Sequence, residues 1–205
     1  MSIYFCITAS EISSQDTYHD LRHAEYYVAL QRIKIYNYPI LAVCSEQSKD
    51  TAITSLIKSK ISCKQYVSVD STDLLGAYSK SQKEYISMCE LFKHCSFLQP
   101  TDWIIKVSGR YLIVEDTLLS EVQKAPEDIE FIGRVSPNNQ IHTYFYAVRY
   151  NVLELFLSKG LGFIGSNCIE KILFEFLHSN SIKTKYIDHL GIFTNVANNS
   201  EYVLS

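Results

Sequence analysis

Short apolar runs and helix-spaced apolar positions alternate along the first half of this chain. The run from Ile3 to Thr8 predicts a buried strand, and apolar residues recur with helical spacing from Tyr18 to Tyr36. The pattern then repeats, with strands predicted over 39–45, 64–69 and 103–107 and helices over 51–60 and 78–98. Strands that alternate with helices are typical of a mainly parallel sheet with helices on both faces.

The second half of the chain mixes the same patterns less regularly. Helices are predicted over 117–124, 150–158 and 168–180, and strands over 130–133, 142–149 and 183–188. The sequence contains no repeat, no low-complexity tract and no linker rich in Pro, Gly or Ser. We therefore predict one α/β sandwich over residues 1–205, with mixed strands in its second half and a ligand at the carboxyl edges of the strands.

Composition and charge exclude several classes of function. The 205 residues include 19 basic and 22 acidic ones, a net charge of -3, which gives no broad positive field for nucleic acid. The apolar runs are shorter than the roughly 20 residues of a membrane span, and the amino terminus lacks a signal-peptide pattern. The six dispersed cysteines favour reduced thiols. We expect a cytoplasmic protein, soluble or peripheral to a membrane, whose oligomeric state the sequence leaves open.

The segment 102–111 joins a core strand to an unusual set of residues at its end. These residues are two cations, a hydroxyl and a glycine: Lys106, Ser108, Gly109 and Arg110. Cations at the carboxyl end of a buried strand indicate an anionic ligand, and a glycine lets the backbone approach that ligand. The equal alternative is an ordinary strand end, with Arg110 paired to Glu115 or Asp116.

The order of elements resembles that of a small glycosyltransferase of the GT-A type over most of the chain. The resemblance implies a Rossmann-like α/β/α fold whose first half, about residues 1–116, binds a nucleotide-sugar donor. The second half, about 117–205, would bind a glycan or glycolipid acceptor. In that family the fourth strand carries an Asp-x-Asp motif that holds a divalent metal on the donor diphosphate.

This chain has no carboxylate at the matching place. We therefore expect no metal cofactor, and Lys106 and Arg110 would supply positive charge to the leaving diphosphate directly. Lys106, Ser108 and Arg110 share one side of the strand only while the chain stays extended. The alternative is Mn or Mg held on the donor by carboxylates elsewhere, namely Asp70, Asp73 or Asp116.

Further binding residues are candidates, of which those at the end of the first strand match the place where GT-A enzymes contact the nucleotide. Donor contacts are expected at the ends of the first and third strands and at the start of the long helix, from Thr8, Ala9, Ser10, Asp70 and Lys80. Acceptor contacts are expected from His142, Tyr144 and His189. For each of these residues a structural role is the alternative, such as a turn, a solvated surface or a hydrogen-bonded histidine.

The resemblance also implies a catalytic base near the start of a late helix, after a glycine-rich acceptor loop, and Glu170 is the candidate. It follows a glycine-rich segment, 160–165, near the predicted start of a late helix. A carboxylate there can take the proton of an acceptor hydroxyl during inverting transfer. A first-turn acid favoured by the helix dipole is the alternative.

The sequence thus predicts an inverting glycosyltransferase acting on a surface polysaccharide or glycoconjugate, with sugar and linkage undetermined. A non-catalytic sugar- or nucleotide-binding module and a sugar nucleotidyltransferase remain as alternatives. The nucleotidyltransferase would need a glycine-rich loop near the first strand, and residues 9–13 contain no glycine.

Overall fold

Ten strands and seven helices form the described part of the chain, which in the computed structural model comprises residues 1–10, 19–46, 52–70, 78–164, 168–195 and 202–204. The strands are β1 (Ile3–Ser10), β2 (Ile40–Glu46), β3 (Cys63–Asp70), β4 (Trp103–Ser108), β5 (Leu112–Ile113), β6 (Phe131–Gly133), β7 (Phe145–Arg149), β8 (Thr184–Tyr186), β9 (Ile192–Asn195) and β10 (Tyr202–Leu204). The helices are α1 (His19–Ile35), α2 (Ala52–Lys60), α3 (Lys80–Lys93), α4 (Thr117–Lys124), α5 (Tyr150–Leu157), α6 (Leu161–Ile164) and α7 (Ile169–Ser179).

Seven of these strands form one sheet in the order β3-β2-β1-β4-β7-β6-β8. The strands β1 to β4 are parallel, so their carboxyl ends meet at one edge, which we call the carboxyl edge. β7 runs antiparallel to both β4 and β6, whereas β8 is parallel to β6. The predicted α/β sandwich with a mainly parallel sheet and mixed strands in its second half is therefore confirmed.

Helices cover both faces of this sheet, because its central strands are apolar on both sides. On one face the side chains of Phe5 and Ile7 pack in a core with residues of α1, α2 and α4; we call this the α1 side. On the other face Tyr4 and Cys6 pack in a core with residues of α3, α5 and α7; we call this the α3 side. Alternation along β4 places Ile105 and Val107 on the α1 side and Ile104 and Lys106 on the α3 side.

The structure differs from the predicted elements in several places, one of which is the short helix α6 in the glycine-rich segment. The helix predicted over 78–98 ends at Lys93, and the strand predicted from His142 begins only at Phe145. A second, three-stranded sheet with the order β10-β9-β5 was not predicted. Its strands are two to four residues long, too short to show a periodic pattern. None of the described helices is long and apolar enough to cross a membrane.

Candidate functional site at the carboxyl edge of β4

The ends of β1 and β4 lie side by side at the carboxyl edge. Thr8 is opposite Ser108, and the amide of Gly109 donates to the carbonyl of Thr8 at 2.9 Å. The amide of Ser10 donates to the hydroxyl of Tyr26, a residue of α1, at 3.1 Å. The structure thus brings the predicted residues at the ends of these two strands together.

Gly109 is required for packing at this edge. A Cβ atom at this position would lie 2.9 Å from the ring of Tyr26 and 3.0 Å from the side chain of Ile7. The predicted reason for the glycine was close approach of the backbone to a ligand. The contact seen in the structure is with the α1 helix.

Lys106 is buried on the α3 side and holds three partners. Its ammonium lies 2.5 Å from a carboxylate oxygen of Glu84 in an ion pair. It also donates to the carbonyl of Thr143 at 2.6 Å and to the hydroxyl of Ser108 at 3.3 Å. The ammonium thus has two hydrogen-bond acceptors and one ion-pair partner. Direct contact of Lys106 with a donor phosphate stays a prediction, and it would require Glu84 or another partner to move away.

Glu84 reaches Lys106 because α3 begins at Lys80, which places Glu84 in the early turns of the helix. Ser79 and Gln82 form a capping box that starts the helix, and this fixes the first turns of α3 beside the carboxyl edge. Lys80, a predicted donor contact, is the first residue of this helix and is exposed. Nothing in the sequence pattern linked Glu84 to Lys106, because the two belong to different elements.

Glu170 joins the same group through Thr143. The hydroxyl of Thr143 lies 3.4 Å from a carboxylate oxygen of Glu170, while its carbonyl accepts from Lys106. The carbonyl of Glu170 also accepts from the amide of Ile141, which attaches the start of α7 to the segment before β7. The predicted base and the predicted cation are therefore connected through one residue, which the sequence analysis did not single out.

Arg110 lies apart from Lys106, on the α1 side. The strand ends at Ser108 and residues 109 and 110 form a turn, so the alternation expected for an extended chain does not apply. The guanidinium donates to the hydroxyl of Tyr111 at 3.3 Å and lies 5.1 Å from the centre of its ring. Burial opposes the charge of Arg110, but Tyr111, Tyr26 and Glu25 favour it, and the net effect raises its pKa.

The pairing of Arg110 with Glu115 or Asp116 that the sequence analysis considered is not present in the structure. Asp116 accepts hydrogen bonds from Arg32 at 3.1 Å and from Tyr36 at 2.5 Å, near the carboxyl end of α1. Glu115 pairs with His189 at 2.6 Å. Among the described residues, no carboxylate lies within ion-pair distance of the Arg110 guanidinium.

Aromatic side chains extend from Arg110 along the border of β4 and β7. The rings of Tyr111 and Tyr144 meet edge to face, with 5.4 Å between their centres. The hydroxyl of Tyr144 is 2.5 Å from Nδ1 of His142. Burial, together with the nearby charge of Arg134, lowers the pKa of His142, which favours its neutral form. The predicted acceptor residues His142 and Tyr144 thus adjoin Arg110, whereas His189 is paired with Glu115.

Of the three carboxylates proposed as alternative metal ligands, the two that the structure describes do not meet at this site. Asp70 ends β3, three strand positions from β4 and therefore roughly 14 Å away. Asp116 is bonded to Arg32 and Tyr36, and Asp73 lies outside the described residues. Across the described ranges, His, Cys, Asp and Glu side chains form no group of three that could hold a metal ion. The described residues at the end of β4 therefore do not fit the metal that the GT-A resemblance implies.

Comparisons with known proteins identify the fold. No family model and no curated protein matches the sequence. Solved structures do match. A 4-diphosphocytidyl-2C-methyl-D-erythritol synthase from Anaerococcus prevotii has a TM-score of 0.55 and 12% identity, over 91% of this chain and 86% of that one. Mouse xyloside xylosyltransferase 1 has a TM-score of 0.53 and 8% identity, over 91% and 85%.

A third similar structure is core-mannan synthase A from Aspergillus fumigatus in its Mn/GDP form, with a TM-score of 0.50 and 9% identity over 94% of this chain and 74% of that one. Identities this low establish architecture alone. The GT-A-type fold of nucleotidyl- and glycosyltransferases, inferred above from the order of elements, is thus the fold of this chain.

Proposed function

We propose that this protein is a glycosyltransferase that moves a sugar from a nucleotide-sugar donor to a hydroxyl group of a glycan or glycoconjugate. The observation that carries the proposal is the Arg110 guanidinium. It lies at the carboxyl end of β4 in a GT-A-type fold and has no described carboxylate within ion-pair distance. The resemblance places a metal-binding motif at this position, and Arg110 supplies positive charge there instead.

Departure of a nucleotide leaves negative charge on phosphate oxygens, and a preorganised cation stabilises the transition state that leads to it. An arginine presents two parallel N–H donors that match a phosphate. The contact of Arg110 with Tyr111 holds the guanidinium in place before a ligand arrives, which lowers the entropic cost of binding. The Tyr111 and Tyr144 rings beside it offer surfaces on which a base or sugar can stack.

Glu170 is proposed as the general base. Its carboxylate takes the proton of the acceptor hydroxyl while the acceptor oxygen bonds to the anomeric carbon. The bond from that carbon to the phosphate oxygen breaks, and its electron pair stays on the phosphate beside Arg110. The side chain of Glu170 lies within 3.4 Å of Thr143, whose carbonyl is held by Lys106. In this scheme Lys106 is a positioning residue.

A sugar nucleotidyltransferase is the second candidate, because the solved structures that share this fold include nucleotidyltransferases as well as glycosyltransferases. The two activities differ in their products. A glycosyltransferase consumes a nucleotide sugar and releases a nucleotide, whereas a nucleotidyltransferase joins a sugar phosphate to a nucleoside triphosphate and releases pyrophosphate. Measuring which of the two is released separates them without knowledge of the acceptor.

The first experiment is a thermal-shift screen with UDP, GDP, CMP and dTDP, each with EDTA and with added manganese. Binding stabilises the folded protein by mass action. We expect one nucleotide to stabilise the wild type in EDTA, and Arg110→Gln to weaken its binding about ten- to hundredfold, the value of one or two hydrogen bonds to a charged group. Arg110→Lys should be intermediate, because it keeps the charge but not the paired donors.

Lys93→Gln is the matched control, since it removes an exposed cation at the far end of α3. Glu170→Gln should keep nucleotide binding and lower transfer or donor hydrolysis by about 10²- to 10⁴-fold. Stabilisation that depends on manganese and is unaffected by Arg110→Gln would refute the role of Arg110. No stabilisation by any of the four nucleotides, with EDTA or with manganese, would refute the proposed function as a whole.

A further inference from the structure

Helix α1 is apolar on two opposite sides. Its inner side packs into the core through Tyr26, Ala29, Leu30 and Ile33. Its outer side carries Leu21, Val28 and Ile35, which recur at seven-residue intervals and therefore align along the helix. These three side chains are 40%, 49% and 70% exposed. An aligned row of apolar side chains on a helix normally packs against a partner, whereas this row lies largely in solvent within the described chain.

Cations border this apolar stripe on the flank that faces α2. Lys34 is exposed near the end of α1, and α2 packs beside α1 and contributes Lys58 and Lys60. The Lys60 ammonium lies 5.6 Å from the centre of the Tyr27 ring, which is itself 45% exposed. Among α1 and α2 residues whose side chains the structure describes, none of the exposed ones is acidic.

We propose that this surface, defined by the Leu21, Val28 and Ile35 stripe and its lysine border, docks on an anionic lipid bilayer. The apolar side chains would enter the boundary between headgroups and acyl chains, and the lysines would lie at the level of the lipid phosphates and carboxylates. Because the chain as a whole has a net charge of -3, the attraction to an anionic bilayer would come from this local lysine border. The inference does not depend on the proposed reaction.

Charge distinguishes a bilayer from a second copy of this chain. A symmetric dimer through the outer side of α1 would bring the same patch of each copy together. Lys34 and Lys60 would then face lysines of the other copy across the interface. Like charges placed opposite one another oppose association, whereas an anionic bilayer complements them.

Docking would also set the position of the carboxyl edge. β1 ends at this edge and α1 begins beyond it, so Leu21 lies near the edge and Ile35 near the opposite end of the helix. With α1 lying along the bilayer, the end of β4 would open beside the headgroups. A lipid-linked acceptor could reach Arg110 and Glu170 from there.

The test is co-flotation of the full chain with phosphatidylcholine vesicles and with vesicles that also contain phosphatidylserine. We expect flotation with the anionic vesicles, weaker flotation with the neutral ones, and loss of the difference in high salt. Lys34→Gln should lower the partition coefficient about fivefold, and Lys34→Gln with Lys58→Gln about 30-fold. Val28→Gln with Ile35→Gln should abolish flotation while leaving the unfolding midpoint unchanged, because both side chains are exposed.

Leu155→Gln is the matched control. Leu155 is 40% exposed, like Leu21, but belongs to α5 on the α3 side of the sheet. Equal loss of flotation in Leu155→Gln would overturn the assignment of the surface. Absence of flotation with anionic vesicles would overturn the proposal, as would a dimer in sedimentation velocity that Ile35→Gln dissociates, since a second copy would then occupy the stripe.

Discussion

Removing one charge from the buried Lys106–Glu84 pair should destabilise this protein far more than removing a charge from its surface. The Lys106 side chain is 1% exposed and that of Glu84 is 20% exposed, with 2.5 Å between the ammonium and the carboxylate oxygen. Glu84→Gln keeps the side-chain size but leaves the ammonium with two neutral acceptors, Thr143 and Ser108. An uncompensated buried charge costs about 3–5 kcal/mol. Because Glu84 is partly open to water, we expect the lower end, about 3 kcal/mol.

The reverse change should cost less. Lys106→Met removes the buried ammonium, and the partly exposed carboxylate of Glu84 can turn toward water, so we expect a loss of about 1–2 kcal/mol. The double variant contains no buried charge, and replacing both members of such a pair is often close to neutral. The two substitutions should therefore be less destabilising together than the sum of each alone, with a coupling of about 2 kcal/mol or more.

Urea unfolding of the four proteins at neutral pH measures these free energies, provided that the slope with denaturant is the same for all. For a chain of this size 1 kcal/mol corresponds to about 2–4 °C in Tm, so Glu84→Gln should lower Tm by about 6–12 °C. Glu90→Gln is the control on the same helix, because the Glu90–Lys93 pair is exposed. The reasoning would be refuted if Glu84→Gln unfolded at the same urea midpoint as Glu90→Gln. It would also be refuted if the loss in the double variant equalled the sum of the losses in Glu84→Gln and Lys106→Met.

Three further predictions concern packing, pH and thiol chemistry. Gly191→Ala should destabilise the fold by roughly 2–5 kcal/mol, because Gly191 has φ +72° and a Cβ there would meet a backbone oxygen at 2.6 Å. Denaturant unfolding measures this loss, and Gly162→Ala is the control because a Cβ at Gly162 would enter open space. Burial and the Arg134 charge lower the pKa of His142 below 6.5, so the stability that His142 contributes is present above that pH and is lost as the pH falls. Between about pH 7.5 and pH 5 the wild type should therefore lose more unfolding free energy than His142→Gln. Parallel curves of unfolding free energy against pH for the two proteins would contradict this prediction. Burial raises the pKa of Cys6 to about 12, so iodoacetamide should label Cys6 only after unfolding, as peptide mass spectrometry would detect.

Several elements could be predicted from the sequence because local periodicity records burial. β4 appears as an apolar run since a central parallel strand is covered on both faces, and α4 was predicted with the bounds that the structure has, Thr117–Lys124. The same periodicity could not indicate the second sheet. β5 has only two residues, Leu112 and Ile113, and its pairing with β9 depends on chain segments far apart in sequence.

The candidate site likewise has features that the sequence determined and features that only the tertiary structure decided. The sequence by itself determined that cations, a hydroxyl and a glycine follow the β4 strand, and that Glu170 begins a late helix. Only the tertiary structure decided their environments. Lys106 pairs with Glu84 because α3 packs over that face of β4, whereas the turn after Ser108 directs Arg110 to the α1 side, away from Lys106.

The two apolar sides of α1 are a further example of the difference between what the sequence determines and what the tertiary structure decides. Apolar residues recur along both sides of this helix in the sequence, and periodicity alone cannot tell which side the core covers. The sheet decides, because it contacts a helix from one direction only: Leu30 and Ile33 enter the core and Val28 and Ile35 remain in solvent. Local chemistry is a property of the sequence, whereas the partner of each side chain is set by the packing of distant segments.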